Sequence, residues 1–324
     1  MPVGLACLPP VLIEHETEIL DLFFEKNPEE ALREKIRTTQ PGLIGFSVRN
    51  VDNQLWARTE YYLPEVKRYV EVAREESRMP IVLGGAAYSI FPYTALKYIG
   101  ADWGIVGDGE VIFPRFVKAL ENCCDPSSIE GVVNPKSGGK RFKPPRVEDY
   151  DNTPIPQYDA IRFEDYISEG SALSIISRRG CPYNCIYCDA PVSEGHELRG
   201  KSPKRLVDEI ETVARMGAKT VNVSDNVFNY PRGYAREVAE EIIRRDLKIA
   251  WGATLHPSGA DENDLRIMRK SGMVVASIGP DTGSPDMMKN LNKGCDLDQV
   301  KRLVKMLKEN EIGFFMSILL GGPG

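Results

Sequence analysis

Apolar residues in the first third of the chain recur with two alternating periods. Residues 28–36 have the 3.6-residue spacing of a helix and run into 42–48, an apolar stretch of strand length. Between 62 and 76, Leu63, Val66, Tyr69, Val70 and Ala73 form a helical stripe. Residues 80–85 are a strand stopped by two glycines, 93–99 a short helix, 102–107 a further strand and 113–120 another helix. Strand–helix alternation of this kind predicts parallel βαβ units with helices on both faces. Ligands in such sheets sit beyond the carboxyl ends of the strands. Those ends read Ser47-Val48-Arg49-Asn50, Gly84-Gly85-Ala86-Ala87-Tyr88 and Gly107-Asp108-Gly109-Glu110.

Residues 126–156 hold Gly138-Gly139, Pro144-Pro145, Pro154 and Pro156 with no sustained period, so an extended linker is expected there. A second series follows, with strands at 173–177, 220–224, 249–254, 274–279 and 313–320 and helices at 203–216, 233–245, 261–270 and 297–310. Strands joined by parallel crossovers are the pattern of a (β/α) barrel segment, well short of the ~250 residues of a closed eight-fold barrel. The expected organisation is α/β throughout: a Rossmann-like domain over 1–125, a linker over 126–168 and a partial TIM-type barrel over 169–324. Stopping directly after an apolar strand leaves an open edge, and the sequence is expected to be cut short there.

Composition adds exclusions. Lys and Arg number 41 against 47 Asp and Glu, a net charge of −6, which argues against the basic face of a nucleic-acid binder. With 42% hydrophobic and 27% charged residues, the chain belongs to the globular class. No apolar run approaches the ~20 residues of a membrane helix, and Met1-Pro2-Val3-Gly4 has no basic leader region. Charge-rich 237–245 reads as a solvated helix face. The 7 cysteines, an odd number without a signal peptide, read as reduced thiols of a cytoplasmic protein. Cys7, Cys123, Cys124 and Cys295 are scattered, and Cys123-Cys124 read as packing or surface.

Cys181, Cys185 and Cys188 instead crowd into one loop, Arg179-Gly180-Cys181-Pro182-Tyr183-Asn184-Cys185-Ile186-Tyr187-Cys188-Asp189. Three thiolates can each hold one corner iron of a four-iron cubane, leaving the last iron open for chemistry. Zinc is the alternative reading; a closed zinc site wants four ligands, and His196 is the candidate nearby. The C-x-x-x-C-x-x-C loop after a barrel strand, with Tyr187 before the third cysteine, resembles the radical S-adenosylmethionine (SAM) superfamily. The resemblance implies a 4Fe–4S cluster with Cys181, Cys185 and Cys188 as metal-binding and catalytic residues. Its unique iron would be chelated by the amino and carboxylate groups of S-adenosyl-L-methionine, with Tyr187 by the adenine. It also assigns Asp225 and Asn226 to SAM's polar groups. Ser277-Ile278-Gly279-Pro280-Asp281-Thr282-Gly283-Ser284 stands where relatives carry S-I-G-x-E-S-G-S, which makes Ser277 and Asp281 SAM-facing. Asp281 is one methylene shorter than that glutamate. Asn292-Lys293-Gly294 continues the pattern, and Gly321-Gly322-Pro323-Gly324 resembles the fifth-strand turn beside adenine and ribose.

In the first domain, Pro2-Val3-Gly4-Leu5-Ala6, the Gly84-Gly85 strand end and Val106-Gly107-Asp108-Gly109-Glu110 resemble the cobalamin-binding domain that precedes many radical SAM barrels. The resemblance places the first strand of that domain ahead of Met1. Gly84, Gly85, Gly107 and Gly109, with Asp108 and Glu110, would meet cobalamin's nucleotide tail, since glycine lets backbone approach a bulky ligand. The alternative is glycines that end strands around another ligand or none. Cobalamin domains that supply a histidine use D-x-H-x-x-G, and His15, His196 and His256 lack that context. Ser47, Arg49 and Asn50 would face the corrin, where a cation disfavours positively charged cobalt; Arg49 can equally pair with Asp52, Glu60 or a ligand phosphate. His256 is expected at the barrel mouth, His15 in a structural role, Trp251 in the barrel core and Met287-Met288 in helix packing.

What the resemblance implies is a cobalamin-dependent radical SAM enzyme, foremost a methyltransferase acting on an unactivated carbon. One SAM would methylate cobalamin, another would yield a 5′-deoxyadenosyl radical, and the substrate radical would take the methyl group. The alternatives are a cyclase or rearrangement enzyme with cobalamin as redox partner, and a truncated non-catalytic iron–sulfur or corrinoid carrier. Implied partners are a small-molecule or peptide substrate and a low-potential electron donor, with no nucleic acid and no membrane span.

Overall fold

The computed structural model describes residues 1–55, 57–138 and 143–323; Gly139 and Gly324, quoted above, lie outside the described residues. Contacts divide the chain into two units, one of residues 2–147 with 154–162, the other of 148–153 with 163 onward.

In the first unit, β1 (Ile44–Ser47), β2 (Ile81–Gly84) and β3 (Trp103–Ile105) run parallel in that order, and β4 (Val132–Val133) pairs antiparallel with β3. Alternate residues of β2 serve opposite faces. Ile81 and Leu83 join a core with Leu32 and Ile36 of the helix Pro28–Thr39, Val70 of Leu63–Glu76, and Leu96 and Ile99 of Pro92–Ile99. Val82 joins Ile105, Ile112 and Phe116, the last two from the helix Gly109–Glu121. Both faces are covered, which is why these strands are apolar throughout rather than alternating. The helix Pro28–Thr39 starts where the Asn27 side chain accepts the Glu30 N–H and Pro28 fills the first turn. β4 falls in the segment expected to be linker; two residues are too few to show a period, yet Val133 is fully buried opposite Gly104.

In the second unit, β5 (Leu173–Ile175) leads to an antiparallel ribbon of β6 (Arg178–Arg179) and β7 (Arg199–Gly200). β8 (Thr220–Val223), β9 (Ala250–Thr254), β10 (Met273–Asp281) and β11 (Gly313–Ile318) follow. The sheet order is β5-β8-β9-β10-β11 with every pair parallel, so each strand lies beside its predecessor. The helices Pro203–Arg215, Tyr234–Arg244, Glu262–Lys270 and Leu297–Glu309 fill the crossovers, as in a barrel segment. Ser202, Asp261 and Asp296 cap three of them by accepting N–H groups of the first turn. Trp251 is buried among these strands and donates its indole N–H to Ser271 Oγ at 3.1 Å. The helix Pro285–Asn290, too short for a periodic signal, buries Met288. β11 leaves Phe315, Met316 and Ile318 exposed. No described helix is long and apolar enough to cross a membrane.

Candidate functional site

Beyond β5 the chain turns through Ser177 and Arg178 into the cysteine loop, and a buried ion pair fixes that turn. Asp225, just after β8, accepts the N–H groups of Ser177 (2.9 Å) and Arg178 (3.0 Å), the Ser177 hydroxyl, and Arg178 Nε (3.2 Å). The Arg178 guanidinium also donates to the carbonyls of Val227, Phe228 and Tyr230 and lies 3.8 Å from the centroid of the Tyr234 ring. The resemblance assigns Asp225 to SAM's polar groups. Here it stands behind the loop with both oxygens engaged, because a buried arginine needs a carboxylate partner. Asn226 is exposed and donates to Glu194 Oε2 (2.6 Å), which also receives the Gly180 N–H (2.8 Å). Gly180 has φ +97°, and a Cβ there would collide with the Glu197 carbonyl, so the residue before Cys181 has to be glycine.

Cys181, Cys185 and Cys188 are half-buried. Burial pushes the Cys181 and Cys188 thiols above their usual range, and the neighbouring cysteines raise both further. The loop therefore holds three thiols within one another's field, an arrangement that cationic iron relieves by stabilising thiolates. Among the described residues no three His, Cys, Asp or Glu groups surround a single metal ion. A cubane asks for one thiolate per iron corner instead, and three thiols on one short loop suit that demand. Cys295, scattered in the sequence, also stands near: burial raises its thiol, Lys293 lowers it and Cys185 raises it. His196 is exposed.

The segment after the helix Pro285–Asn290 runs along this loop. The Leu291 carbonyl accepts the Ile186 N–H (3.1 Å), Asn292 Nδ2 donates to the Asn184 carbonyl (2.8 Å), and Gly294 lies so close under Tyr183 that a Cβ would stand 2.7 Å from the ring. Tyr183 stacks on His256 with centroids 3.8 Å apart. One set of donors satisfies the chain beyond it: Tyr183 OH to Ser258 Oγ (2.9 Å), Ser258 OH to His256 Nδ1 (2.7 Å), and His256 Nε2–H to the Lys293 carbonyl (3.1 Å). Burial lowers the His256 pKa to about 4, so the ring is neutral at pH 7. Both its nitrogens serve the protein: His256, two residues beyond β9, holds residue 293.

At the end of β10, buried Asp281 accepts from the Tyr187 hydroxyl and from Lys293 Nζ through the same oxygen. Lys293 Nζ also donates to the Tyr187 hydroxyl (2.7 Å) and lies 5.3 Å from that ring's centroid. Burial, then Asp281, raises the Tyr187 hydroxyl's pKa. Tyr187, next to Cys188, is nevertheless 44% exposed as a residue. The Ser277 side chain is exposed on β10. Beyond β11, a Cβ on Gly322 would lie 3.3 Å from the Met287 sulfur, and the Pro323 carbonyl accepts from Asn290 Nδ2 (3.1 Å), which places Gly321 and Gly322 beside the helix Pro285–Asn290. Lys293, Tyr183, Ser258, Arg178 and Glu194 carried no role in the sequence; only Tyr183 and Lys293 lay inside quoted patterns.

In the first unit, Ser47, Arg49 and Asn50 are exposed at the end of β1. Gly85 has φ +104°, and a Cβ there would stand 2.5 Å from the Val48 carbonyl oxygen. Gly107, also at φ +104°, packs on Pro144, 2.7 Å from where its Cβ would be. Gly84 lies at the end of β2, and Gly109 and Glu110 open the helix Gly109–Glu121. Asp108 is buried and accepts the Val147 N–H (2.8 Å), so its carboxylate holds its own chain rather than the open strand ends. Among the described residues Arg49 forms no ion pair: Glu60 pairs with Arg58 (2.9 Å), and Asp52 receives the Gln54 N–H (2.8 Å). Gly84, with nothing within 4 Å of where its Cβ would be, and the exposed polar groups of Ser47, Arg49 and Asn50 leave the strand ends open to a bulky polar ligand such as a corrinoid.

Residues 175–324 match the radical SAM superfamily, and residues 1–117 match the B12 binding domain. An uncharacterized methyltransferase of Pyrococcus horikoshii is 24% identical over 329 residues, covering 99% of this chain and 70% of that protein. The anaerobic magnesium-protoporphyrin IX monomethyl ester cyclase of Rubrivivax gelatinosus is 27% identical over 301 residues, covering 88% of this chain and 52% of that protein. The radical S-adenosylmethionine methyltransferase TsrM of Kitasatospora setae, solved with tryptophan and a SAM analogue, superimposes over 100% of this chain and 65% of its own, with a TM-score of 0.91 at 24% identity. The chain thus spans between about half and 70% of the length of these proteins. The chain therefore joins a B12-binding domain to a radical SAM domain whose cysteine loop follows β5.

Proposed function

We propose that the protein is a cobalamin-dependent radical SAM methyltransferase, active on an unactivated carbon of a small-molecule or peptide substrate. The observation that carries this reading is the braced three-cysteine loop at the carboxyl end of β5, in a chain that also has a B12-binding domain. When bound, the cluster supplies the electron that cleaves SAM, and cobalamin carries the methyl group. Cys181, Cys185 and Cys188 would hold the cluster. Tyr187, exposed beside Cys188, would meet SAM, with Ser277 exposed along β10 and Gly321 and Gly322 beyond β11. Asp225, Arg178 and Glu194 keep the loop's path. In the first unit Gly84 leaves open space at the end of β2, while Gly85, Gly107 and Gly109 let the chain pack closely on Val48, Pro144 and Leu8 beside it. Ser47, Arg49 and Asn50 face the corrin, and the guanidinium disfavours added positive charge on cobalt. A low-potential electron donor and an oxygen-poor cytoplasm suit such a cluster.

The cyclase relative favours a second reading, in which the same cofactors close a ring and methylate nothing. A substrate-free assay separates the two. Reduced protein loaded with cobalamin and cluster should convert SAM to S-adenosylhomocysteine, up to about one equivalent per bound cobalamin. Release of 5′-deoxyadenosine with no S-adenosylhomocysteine would favour the cyclase.

A further inference from the structure

Lys293 is a buried cation that the proposed chemistry does not itself require. Its backbone is fixed before its side chain is considered. His256 holds its carbonyl, Gly294 lies beneath Tyr183, and Leu291 and Asn292 are tied to Ile186 and Asn184. From that fixed point the side chain reaches Asp281 and Tyr187, and Lys293 and Asp281 are each only 7% exposed. Desolvating such a pair is costly and adds little net stability, so its return is a fixed geometry. Asp281 is one methylene shorter than the glutamate of related patterns, and the oxygen that bonds serves two protein groups, Tyr187 and Lys293.

We propose that Lys293 is the positioning residue of the SAM site: it locks Tyr187 and Asp281 into one unit and so sets the affinity for SAM without holding the cluster. The inference rests on the radical SAM reading of the cysteine loop and deepens it. Tyr187 directly precedes Cys188, so the orientation of its ring is set relative to the cluster ligands by whatever holds its hydroxyl. A ring already fixed loses less freedom when a ligand packs on it, and that saving appears as affinity. Without the ammonium, the Asp281 carboxylate is buried unpaired and the tyrosine hydroxyl loses one of its two partners.

The test uses the full chain, anaerobically reconstituted, with iron and sulfide measured per chain. SAM is titrated against the electron paramagnetic resonance signal of the reduced cluster in wild type, Lys293→Met, Lys293→Arg, Tyr187→Phe and the Met/Phe double variant. Iron content should match wild type throughout. The SAM concentration at half-saturation should rise about tenfold in Lys293→Met and in Tyr187→Phe. In the double variant it should rise by less than the two single effects combined, because both changes remove the Lys293–Tyr187 bond, and Lys293→Arg should recover most of the loss. Unchanged half-saturation in Lys293→Met overturns the proposal. So does loss of iron with normal SAM affinity in the clusters that remain, which marks a purely structural lysine. If Lys293→Met does not fold, Tyr187→Phe decides by the same criterion. Wild type without a SAM-responsive cluster overturns the radical SAM reading itself; a responsive wild type beside unaffected variants overturns the proposal alone.

Discussion

The cysteine loop of the second unit and the glycine-lined strand ends of the first both lie at the carboxyl ends of parallel strands, yet they are held by opposite means. Around the cysteines, side chains fix the path: Asp225 with Arg178, Glu194 with Gly180 and Asn226, His256 with Lys293. At the ends of β1 to β3 the missing side chains matter more, because a Cβ on Gly85 or Gly107 would stand 2.5 Å or 2.7 Å from its neighbour. A small inorganic cluster needs its ligands placed closely, which polar networks achieve. The strand ends of the first unit are shaped by backbone packed closely on its neighbours, which glycine permits.

Removing a ligand breaks the comparison at its strongest point. Cys185→Ala should abolish iron retention and 5′-deoxyadenosine formation while cobalamin binding stays near wild type, as read by iron assay, chromatography of SAM products and corrinoid absorbance. Asp225→Ala comes next. It strands the buried Arg178 guanidinium and should cost about 3–5 kcal/mol in denaturant unfolding, because a broken buried pair leaves a charge without compensation.

Acid should act on the second unit through His256. Its folded pKa, about 4, lies below the ordinary 6.5 because burial disfavours the imidazolium. The folded state therefore resists a proton that the unfolded chain accepts. The contribution is complete above pH 6.5 and is lost as pH falls to 4, to a total of about 3 kcal/mol. Stability measured across that range should fall more steeply in wild type than in His256→Gln. Gly85→Ala probes the other side of the comparison. It should cost about 1–3 kcal/mol through strain at positive φ and collision with Val48. It should also weaken cobalamin binding while leaving iron content unchanged.

What could be read from the sequence follows the same division. Helices with apolar stripes and buried strands declare themselves locally, so both α/β units were legible; the two-residue β4 and the helix Pro285–Asn290 are too short to show a period. The cysteine loop is legible because its three thiols lie within one turn-rich stretch. The direction of a side chain is not written in a motif. Asp225 and Asp108 both sit where ligand contacts were expected, and both turn inward to hold Arg178 and Val147. The Tyr187–Asp281–Lys293 unit is tertiary, joining the loop after β5 to the end of β10 and the turn beyond it. Only the folded sheet, in which β8 and β9 lie between β5 and β10, brings them together.

The central claim is that three thiols hold a cubane with one iron left for SAM. Iron and sulfide analysis of the anaerobically reconstituted chain, with the paramagnetic signal of the reduced protein recorded before and after adding SAM, tests it most directly. The account predicts ~4 irons and ~4 sulfides per chain and a cluster signal that shifts when SAM is added. A colourless protein with tetrahedral zinc on Cys181, Cys185 and Cys188, or a cluster signal indifferent to SAM, would contradict it.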